Sequence, residues 1–241
     1  MPVNKDFYTL AGSSGQSTGY EIDQSIRFND DDNPRMGRTP SSTGTEETWT
    51  WSFWIKRSTI GTLQVIFQIG ADKNNCDQFF FNTSDQLEYE HLDSGSNTDE
   101  LKTTQVFRDT SAWYHIVLVA DTTNSVTSER IRIYVNGERV TSFASSTYPT
   151  QNYDTHINSS SYENAIGCNN TGSDRVFGGY MTEIVMLDGT AADPSSFGET
   201  NSSGIWVPKS VSGLTFGTNG FHIDGRDSAD LGDDESGQGN D

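Results

Sequence analysis

The stretch TWTWSFWIKR, residues 48–57, decides the fold class of this chain. Every second position in it carries a large apolar side chain. These positions are Trp49, Trp51, Phe53 and Ile55. Because successive side chains of a strand point to opposite faces, the four share one face. The opposite face is polar apart from Trp54. The pattern predicts a β-strand with an aromatic face turned toward a core.

Outward from this stretch, short strands follow one another with turn signals between them. They are predicted at residues 63–69, 77–82, 86–91, 113–120, 130–135, 138–143 and 177–187. Residues 113–120 are apolar on both faces, which predicts a central strand covered on both sides. Asn136 and Gly137 follow an alternating strand directly, and this dipeptide favours a tight hairpin because both residues tolerate positive φ.

Helical periodicity is absent from every window of about 12 residues. One short helical turn is predicted at residues 193–199, where Asp193 would cap it and Pro194 would take the first helical position. Many short strands without helices predict an all-β fold, built as an antiparallel sandwich or jelly roll.

The composition excludes several classes of protein. The chain has 241 residues and a formal net charge of −19, which argues against binding nucleic acid or an anionic membrane through a basic face. Aromatic residues make up 11%, too many for a disordered chain. No apolar run is long enough to span a bilayer, and the first residues show no apolar segment typical of a secretory signal. Two distant cysteines, Cys76 and Cys168, indicate neither a disulfide framework nor a metal site.

Three segments depart from the strand pattern. Residues 1–24 mix small polar residues with two aromatics and predict an N-terminal arm. Residues 144–175 form a long polar connection, of a length that is usually functional or mobile. Residues 222–241 carry seven acidic side chains against Arg226 alone, which predicts an acidic, glycine-rich tail or linker. The predicted sandwich therefore occupies residues 25–221.

Four strand segments occur in the order found in laminin-G-like domains of the concanavalin A type. They are TWSFWIKR (50–57), AWYHIVLVADTT (112–123), RIRIYVNGERV (130–140) and FGGYMTEIVMLDG (177–189). The flanking stretches SIRFNDDDNPRMGRTP (25–40) and GFHIDGRDSADLGDDESGQGND (220–241) resemble large structural and fibre-like virion proteins of bacteriophages, common in marine phages. The resemblance implies a concanavalin-A-like jelly roll of two sheets and incorporation into a virion, with contact to glycans as a further option.

Glucanases also use this fold, so the acidic residues are candidates for catalytic carboxylates. Retaining glycosidases need two carboxylates about 5–5.5 Å apart. The segment Glu21–Asp23 begins the alternating pattern of those enzymes without its second glutamate, and Glu88 with Glu90 places only two acids on one strand face. We expect no carboxylate pair within about 6 Å on one sheet face and predict a protein that is not an enzyme. His115 lies in the most apolar strand, which predicts a hydrogen-bonded core histidine.

Calcium is the one cofactor that the sequence indicates. Hard cations bind several oxygen ligands from loops, and Asp30, Asp31 and Asp32 supply carboxylates on one loop. Asp121 and Asp188 lie at predicted strand ends, and the laminin-G-like resemblance implies calcium at the rim of the domain. Three acids in one turn are also typical of a solvated surface, so this alternative stays open.

Five aromatic side chains are candidates for stacking on sugar rings. They are Trp54 and Tyr134, predicted to face outward from their strands, and Tyr148, Tyr153 and Tyr162 in the long polar connection. Tyrosine among serine and asparagine offers rigid contact area together with adaptable hydrogen bonding. In the alternative, Trp54 packs under the second sheet and the tyrosines contact a neighbouring subunit, and contact with protein is favoured over contact with sugar.

These observations predict a non-enzymatic structural protein of a bacteriophage virion, either a fibre or appendage component or a capsid decoration protein. The arm and one sheet edge would dock on other virion proteins, with a homotrimer favoured, after assembly in the host cytoplasm. No nucleic acid or membrane partner is expected. The alternative is a glycan-binding module for host recognition, in which the long connection and the outward aromatics contact a host polysaccharide.

Overall fold

The structure is a computed structural model that describes residues 19–169 and 175–241, with only the backbone described at Asn97. The first part of the predicted arm, residues 1–18, lies outside the described residues. In chain order the strands are β1 (Ile26–Phe28), β2 (Met36–Arg38), β3 (Thr48–Arg57), β4 (Gln64–Asp72), β5 (Asn75–Phe81), β6 (Gln86–Asp93), β7 (Ser96–Val106), β8 (Tyr114–Asp121), β9 (Ile131–Val135), β10 (Glu138–Arg139), β11 (Phe143–Thr147), β12 (Asn164–Ile166), β13 (Gly179–Asp188), β14 (Gly198–Thr200), β15 (Trp206–Pro208) and β16 (Phe221–Ile223).

Two large antiparallel sheets pack face to face as a jelly-roll sandwich, which confirms the predicted fold class. Sheet A has the order β1-β13-β3-β8-β9-β10, and β16 also pairs with β13. Because β1 pairs with residues 179–181 and β16 with residues 184–186, the two short strands follow one another along the same edge of β13. Sheet B has the order β11-β7-β6-β5-β4-β12-β2, and β14 pairs with β15 in a separate hairpin.

The main core lies between the inner faces of the two sheets. The aromatic face predicted for β3 is there, and its four large apolar side chains are buried. Trp51 stacks on Phe67 of sheet B with ring centroids 4.4 Å apart and meets Phe221 edge to face at 5.4 Å. Aromatic pairs of this kind add to the stabilisation that burial of their area supplies. The sandwich is therefore held together chiefly by side chains that alternate along β3 and its partner strands.

A second core covers the outer face of sheet A. Val117 and Val185 project from that face and pack against Phe197, Val211 and Phe216, which come from the segment at residues 189–217. The predicted central strand, β8, lies between β3 and β9 and is buried on both faces, as its apolar pattern indicated. Sheet B has no comparable cluster on its outer face among the described residues.

The two long polar segments are more ordered than the sequence indicated. The predicted connection at 144–175 contains most of β11 and all of β12, which are too short and too polar to show alternation. The predicted tail at 222–241 starts within β16 and folds back on the sandwich. Asn240 is buried there, and its side-chain amide donates to the carbonyls of Thr218 and Gly220. These long-range hydrogen bonds leave no signal in the local sequence.

Local turn chemistry agrees better with the sequence. Asn136 and Gly137 join β9 to β10 with φ of 50° and 82°, the positive values expected of this dipeptide. A short 3-10 turn spans Pro194–Ser196, although the Asp193 side chain makes no capping hydrogen bond. Cys76 and Cys168 are both buried, and the Cys168 thiol donates to the carbonyl of Asn169. Within residues 19–169 and 175–241, no helix has the length and apolar character needed to cross a membrane.

Candidate functional site

The outer face of sheet B carries a row of polar side chains that runs across four strands. Gln68 of β4 lies opposite Gln78 of β5, which lies opposite Glu90 of β6, which lies opposite Glu100 of β7. Adjacent strands are about 4.8 Å apart, so the row extends over about 14 Å. Antiparallel strand pairing thus aligns amides and carboxylates that are up to 32 residues apart in the chain.

A groove of about 650 Å³ includes the middle of this row, and we call it the sheet B groove. Gln78 and Glu90 line it, whereas Gln68 is fully buried and, like Glu100, is not part of its lining. Its floor includes Gln78, Glu88, Glu90 and Lys102. The side-chain amide of Gln78 donates to Glu90 Oε2 at 2.7 Å, and Lys102 Nζ donates to Glu100 Oε1 at 2.6 Å. The floor thus presents a continuous set of oriented donors and acceptors. Such a surface suits a ligand rich in hydroxyl groups.

Three carboxylates at the groove lie close together. One oxygen from each of Glu88, Glu90 and Glu100 is within 4.8 Å of the other two. This cluster contradicts the expectation that no close carboxylate pair occurs on one sheet face. The sequence did not reveal it because Glu100 comes from β7, a strand that was not predicted. Glu88 and Glu100 share a hydrogen bond and Lys102 bridges them, so they lack the gap of about 5–5.5 Å in which a retaining glycosidase holds its substrate.

The Glu88 carboxyl has an unusual proton affinity. Burial raises its pKa to about 7, and the hydrogen bond with Glu100 contributes in the same direction. The pKa of Glu100 is lowered instead: burial acts to raise it, but the hydrogen bonds with Lys102, Ser145 and Glu88 and the charge of Lys102 together outweigh burial. Glu88 is therefore the proton donor of the pair near neutral pH, and Glu100 is the ionised acceptor.

This arrangement predicts a pH-dependent stability that one conservative substitution removes. A carboxyl whose pKa is raised on folding stabilises the fold fully below its unfolded pKa, and this contribution is lost as pH rises through the folded pKa. We expect the melting temperature of the wild type to fall between about pH 5 and pH 8 relative to that of Glu88→Gln, because glutamine mimics the protonated acid at every pH. Thermal melts over this range check the prediction, and parallel pH profiles of the two proteins would contradict it.

Trp54 and Tyr134 project from the outer face of sheet A, as their strand positions predicted, but both are buried. Trp54 stacks on His115 with centroids 4.9 Å apart, and the second core includes Tyr134. The cover is the segment at 189–217, which sequence patterns could not place over this face. Burial lowers the pKa of His115 to about 3, and its ring accepts a hydrogen bond from Trp206 Nε1 at 3.0 Å. It is a neutral core histidine, as expected.

One edge of Trp54 still reaches a small cavity of about 370 Å³. Trp113, which is 36% exposed, and Pro208 line the same cavity. A partly exposed tryptophan beside a second indole is a possible stacking surface for a sugar ring. This aromatic cavity lies on sheet A, so it is separate from the sheet B groove.

The three tyrosines of the polar connection are anchored at one end of the sandwich. Tyr148 and Tyr162 pack against the main core, and the Tyr153 hydroxyl hydrogen-bonds His91 Nε2. Tyr162 also meets the ring of His156 edge to face at 4.9 Å. None of the three lines the sheet B groove. Their placement favours a role in holding the connection against the sheets.

The centre of that anchorage is Asp77, which is fully buried. Its Oδ1 accepts hydrogen bonds from Tyr89 at 2.6 Å and from His91 Nδ1 at 3.0 Å. Its Oδ2 accepts from the backbone N–H of His156 at 2.7 Å and from the ring Nδ1 at 2.9 Å. Burial would raise the pKa of Asp77, but the hydrogen bonds from the two histidines outweigh it and the pKa is lowered. Asp77 is therefore an ionised hub between sheet B and the polar connection.

The predicted calcium ligands Asp30, Asp31 and Asp32 do not converge on one point. They form a 3-10 turn in which Asp30 accepts a hydrogen bond from Thr59 at 2.9 Å and Asp32 accepts one from Asn29. Within the described ranges, the groups of three metal-binding side chains lie elsewhere. Because these three carboxylates do not converge, this turn is a poor fit to a cation.

Asp188, the predicted strand-end acid, has surroundings that fit calcium better. Its carboxylate is buried at the end of β13 and accepts backbone hydrogen bonds from Thr45 at 2.8 Å and Asn219 at 3.1 Å. The Asn158 amide also donates to it at 3.2 Å. The side-chain oxygens of Asn158 and Asn219 are buried and have no hydrogen-bond partner in the described part of the chain. One carboxylate with two unpaired amide oxygens is a donor set that a hard cation prefers.

A further acidic cluster joins Glu183, His222 and Asp224. His222 Nε2 contacts Glu183 Oε2 at 2.9 Å, and the Tyr20 hydroxyl donates to Glu183 Oε1 at 2.8 Å. Arg226 pairs with Asp224 at 3.2 Å. These contacts attach the described end of the predicted arm and the start of the predicted tail to β13.

Comparison with solved structures finds similarity to several proteins of distant sequence. The chain is similar to domains LG4-5 of the mouse laminin α1 chain, with 9% identity, a TM-score of 0.49, and coverage of 74% of this chain and 48% of that one. Domain 4 of AbnA, an extracellular arabinanase from Geobacillus stearothermophilus, gives 19% identity, a TM-score of 0.48 and coverage of 75% and 79%. A SAP-like pentraxin from Limulus polyphemus gives 15% identity, a TM-score of 0.47, and coverage of 70% of this chain and 76% of that one.

No curated protein sequence matches the chain at a significant level. A family comparison does match, over residues 28–193 and so over more than half of the chain. The matched region runs from the end of β1 to just beyond β13. It includes all of sheet B with its groove, and sheet A except β16 and most of β1. The chain therefore belongs to the Laminin_G_3 family, described as the concanavalin A-like lectin/glucanases superfamily.

Proposed function

We propose that the protein binds an oligosaccharide in the sheet B groove without cleaving it. The observation that carries this proposal is the set of polar side chains that line this groove on the outer face of sheet B, chiefly Gln78, Glu90 and Lys102. Amides and carboxylates arranged along a sheet can pair with successive hydroxyl groups of a sugar chain. Membership in a superfamily of lectins and glucanases supports a carbohydrate ligand.

The charge of the chain selects among carbohydrates. The groove is lined by Glu88 and Glu90 and by the basic side chains Lys73, Lys102 and Arg175, whereas the whole chain carries a net charge of −19. An anionic sugar would meet repulsion from the chain as a whole on its approach. We therefore expect neutral oligosaccharides to bind and sialylated or uronic acid-containing ones to be rejected.

Glycan binding can be assigned to one surface by paired substitutions. We expect Gln78→Ala and Glu90→Ala to weaken binding of a neutral oligosaccharide, first identified on a glycan array, by about tenfold or more, because each removes hydrogen bonds of the groove floor. Trp113→Ala is the matched control on the other sheet and should bind normally in calorimetry. Loss of binding in Trp113→Ala alone would move the site to the aromatic cavity. Release of reducing ends from the bound oligosaccharide would contradict a non-catalytic role.

The virion role remains a proposal that rests on the resemblance of residues 25–40 and 220–241 to phage structural proteins. In this proposal the arm at residues 1–24 and a sheet edge dock on other virion proteins, as a homotrimer, and the groove faces a host polysaccharide. Cryo-electron microscopy of the intact particle tests it. Density for this chain in a tail appendage or on the capsid would support the role, and absence from the particle would contradict it.

Calcium is proposed at Asp188 because Asn158 and Asn219 both donate hydrogen bonds to that carboxylate and each has a buried side-chain oxygen without a partner in the described part of the chain. A ligand at a hundred times its dissociation constant adds about 2.7 kcal/mol of stability. For a chain of this size that corresponds to a rise in melting temperature of about 5–10 °C. We expect this rise in the wild type and in Asp31→Asn, and its loss in Asp188→Asn. A rise that is kept in Asp188→Asn and lost in Asp31→Asn would place the ion at the Asp30–Asp32 turn. If calcium did not raise the melting temperature of the wild type, calcium binding would be excluded.

A further inference from the structure

A cavity of about 640 Å³ opens between the two sheets at their shared edge, and we call it the edge cavity. One side is formed by β1 and β16, which follow one another beside β13, and the other by β12 and β2, the outermost strand of sheet B. Part of the C-terminal segment, residues 228–232, forms a third wall. The cavity is separate from the sheet B groove and shares no lining residue with it.

The walls of the edge cavity are largely apolar. Phe28, Ile166, Phe221 and Ile223 line it, and all four are buried members of the main core. Its volume is within the range of about 300–1,000 Å³ that is typical of pockets for small molecules. The apolar walls favour a ligand with an apolar body, since burying such a body releases water from both surfaces.

One polar side chain of the lining has no partner. Asn164 belongs to β12 and shares a strand face with Ile166, so it projects between the sheets. It is 4% exposed, and both its amide nitrogen and its amide oxygen are buried without a hydrogen-bond partner in the described part of the chain. An unpaired buried polar group costs about 1–3 kcal/mol. A ligand that presents a hydrogen-bond acceptor beside a donor would satisfy both of these unpaired atoms.

Charged groups at the cavity do not replace that partner. Arg35 pairs with Glu163, and Arg38 donates to the Asn240 side chain. Arg27 lines the cavity but is exposed. With two of the three guanidinium groups already bonded, the cavity offers little selection for an anionic head group. A neutral group that pairs with a carboxamide is the better match to Asn164.

From these observations we infer that the edge cavity binds an amphipathic small molecule with an apolar body and a carboxamide-type head, which pairs with Asn164. The head group donates an N–H to the Asn164 oxygen and accepts from the Asn164 nitrogen. The apolar body lies along Phe28, Ile166 and Phe221. This site is independent of the glycan groove and of calcium.

Octanamide is a suitable probe, and N,N-dimethyloctanamide is its matched control because it lacks the N–H donors. Met36 lines the cavity, whereas Met181 and Met186 are buried in the core and do not line it. In a protein with ¹³C-methyl methionine, titration with octanamide should shift the Met36 resonance to saturation and leave Met186 unmoved. The dimethyl compound should bind about tenfold more weakly, since it leaves the Asn164 oxygen unpaired.

The variant Asn164→Leu tests the head-group contact from the protein side. It exchanges an unpaired polar group for an apolar one of similar size, so the fold should be retained. We expect octanamide to bind this variant about tenfold more weakly than the wild type and the two amides to become equivalent. An unmoved Met36 resonance in the wild type, or equal affinity of both amides for the wild type, would overturn the inference. The comparison of the two amides uses the wild type alone, so it tests the inference even if Asn164→Leu fails to fold.

Discussion

Replacing Asp77 by alanine is expected to lower the free energy of unfolding by about 3–5 kcal/mol. The substitution leaves His91, His156 and Tyr89 without their shared acceptor inside the sandwich. It also frees the backbone N–H of His156, which holds the polar connection against sheet B. For a chain of this size the loss corresponds to a drop in melting temperature of about 6–20 °C. Urea denaturation at neutral pH and thermal melts measure both quantities.

Two further variants distinguish the stability that the Asp77 contacts supply from a general effect of losing an aspartate. Asp72→Ala removes an exposed carboxylate that bonds only within its own turn, at Asn74 and Asn75, so it should cost less than about 1 kcal/mol. Asp77→Asn keeps the shape but loses the charge, so its cost should fall between those of the two alanine variants. If Asp77→Ala lost no more stability than Asp72→Ala, the hub would not anchor the connection.

Trp51→Ala is the second large effect, with an expected loss of about 3–5 kcal/mol. Trp51 is 1% exposed, and its stacked contact with Phe67 joins sheet A to sheet B. Removing the indole opens a cavity in the centre of the core that the surrounding strands cannot close. The same denaturation experiments measure this loss.

Phenylalanine at this position gives a sharper test of what Trp51 contributes. The indole N–H is buried without a hydrogen-bond partner among the described residues, so Trp51→Phe keeps a ring and removes an unsatisfied donor. We expect a loss below about 1.5 kcal/mol for this variant. Trp113→Ala, at a partly exposed indole, should cost less than about 1 kcal/mol. Equal losses for alanine and phenylalanine at residue 51 would show that indole-specific contacts, rather than ring packing, hold the core.

The candidate groove shows how a site can escape sequence analysis. Glu88 and Glu90 were recognised as two acids on one strand face, but Glu100 and Lys102 belong to a strand whose polar sequence gave no apolar alternation. The row from Gln68 to Glu100 exists only because four strands pair in a particular register. That register is set by contacts of the inner face, which the outer-face residues do not encode.

The stacking candidates show the complementary limitation. Period-two alternation placed Trp54 and Tyr134 correctly on the outer face of their strands. Their exposure, however, depends on what lies over that face. The segment at 189–217 covers sheet A through Phe197, Val211 and Phe216. These side chains are 60 or more residues from Trp54 and Tyr134 in the chain, so the local pattern of those strands cannot predict that they cover the face.

The sequence by itself determined the all-β class, the aromatic inner face of β3, the central position of β8 and the Asn136-Gly137 hairpin. All of these depend on interactions between residues that are near one another in the chain, or on strand periodicity. Only the tertiary structure decided which face of each sheet stays open, how the groove carboxylates meet, and where Asn164 is left unpaired. These features depend on strand order and register, because hydrogen bonds and packing between distant segments bring together side chains that no local pattern relates.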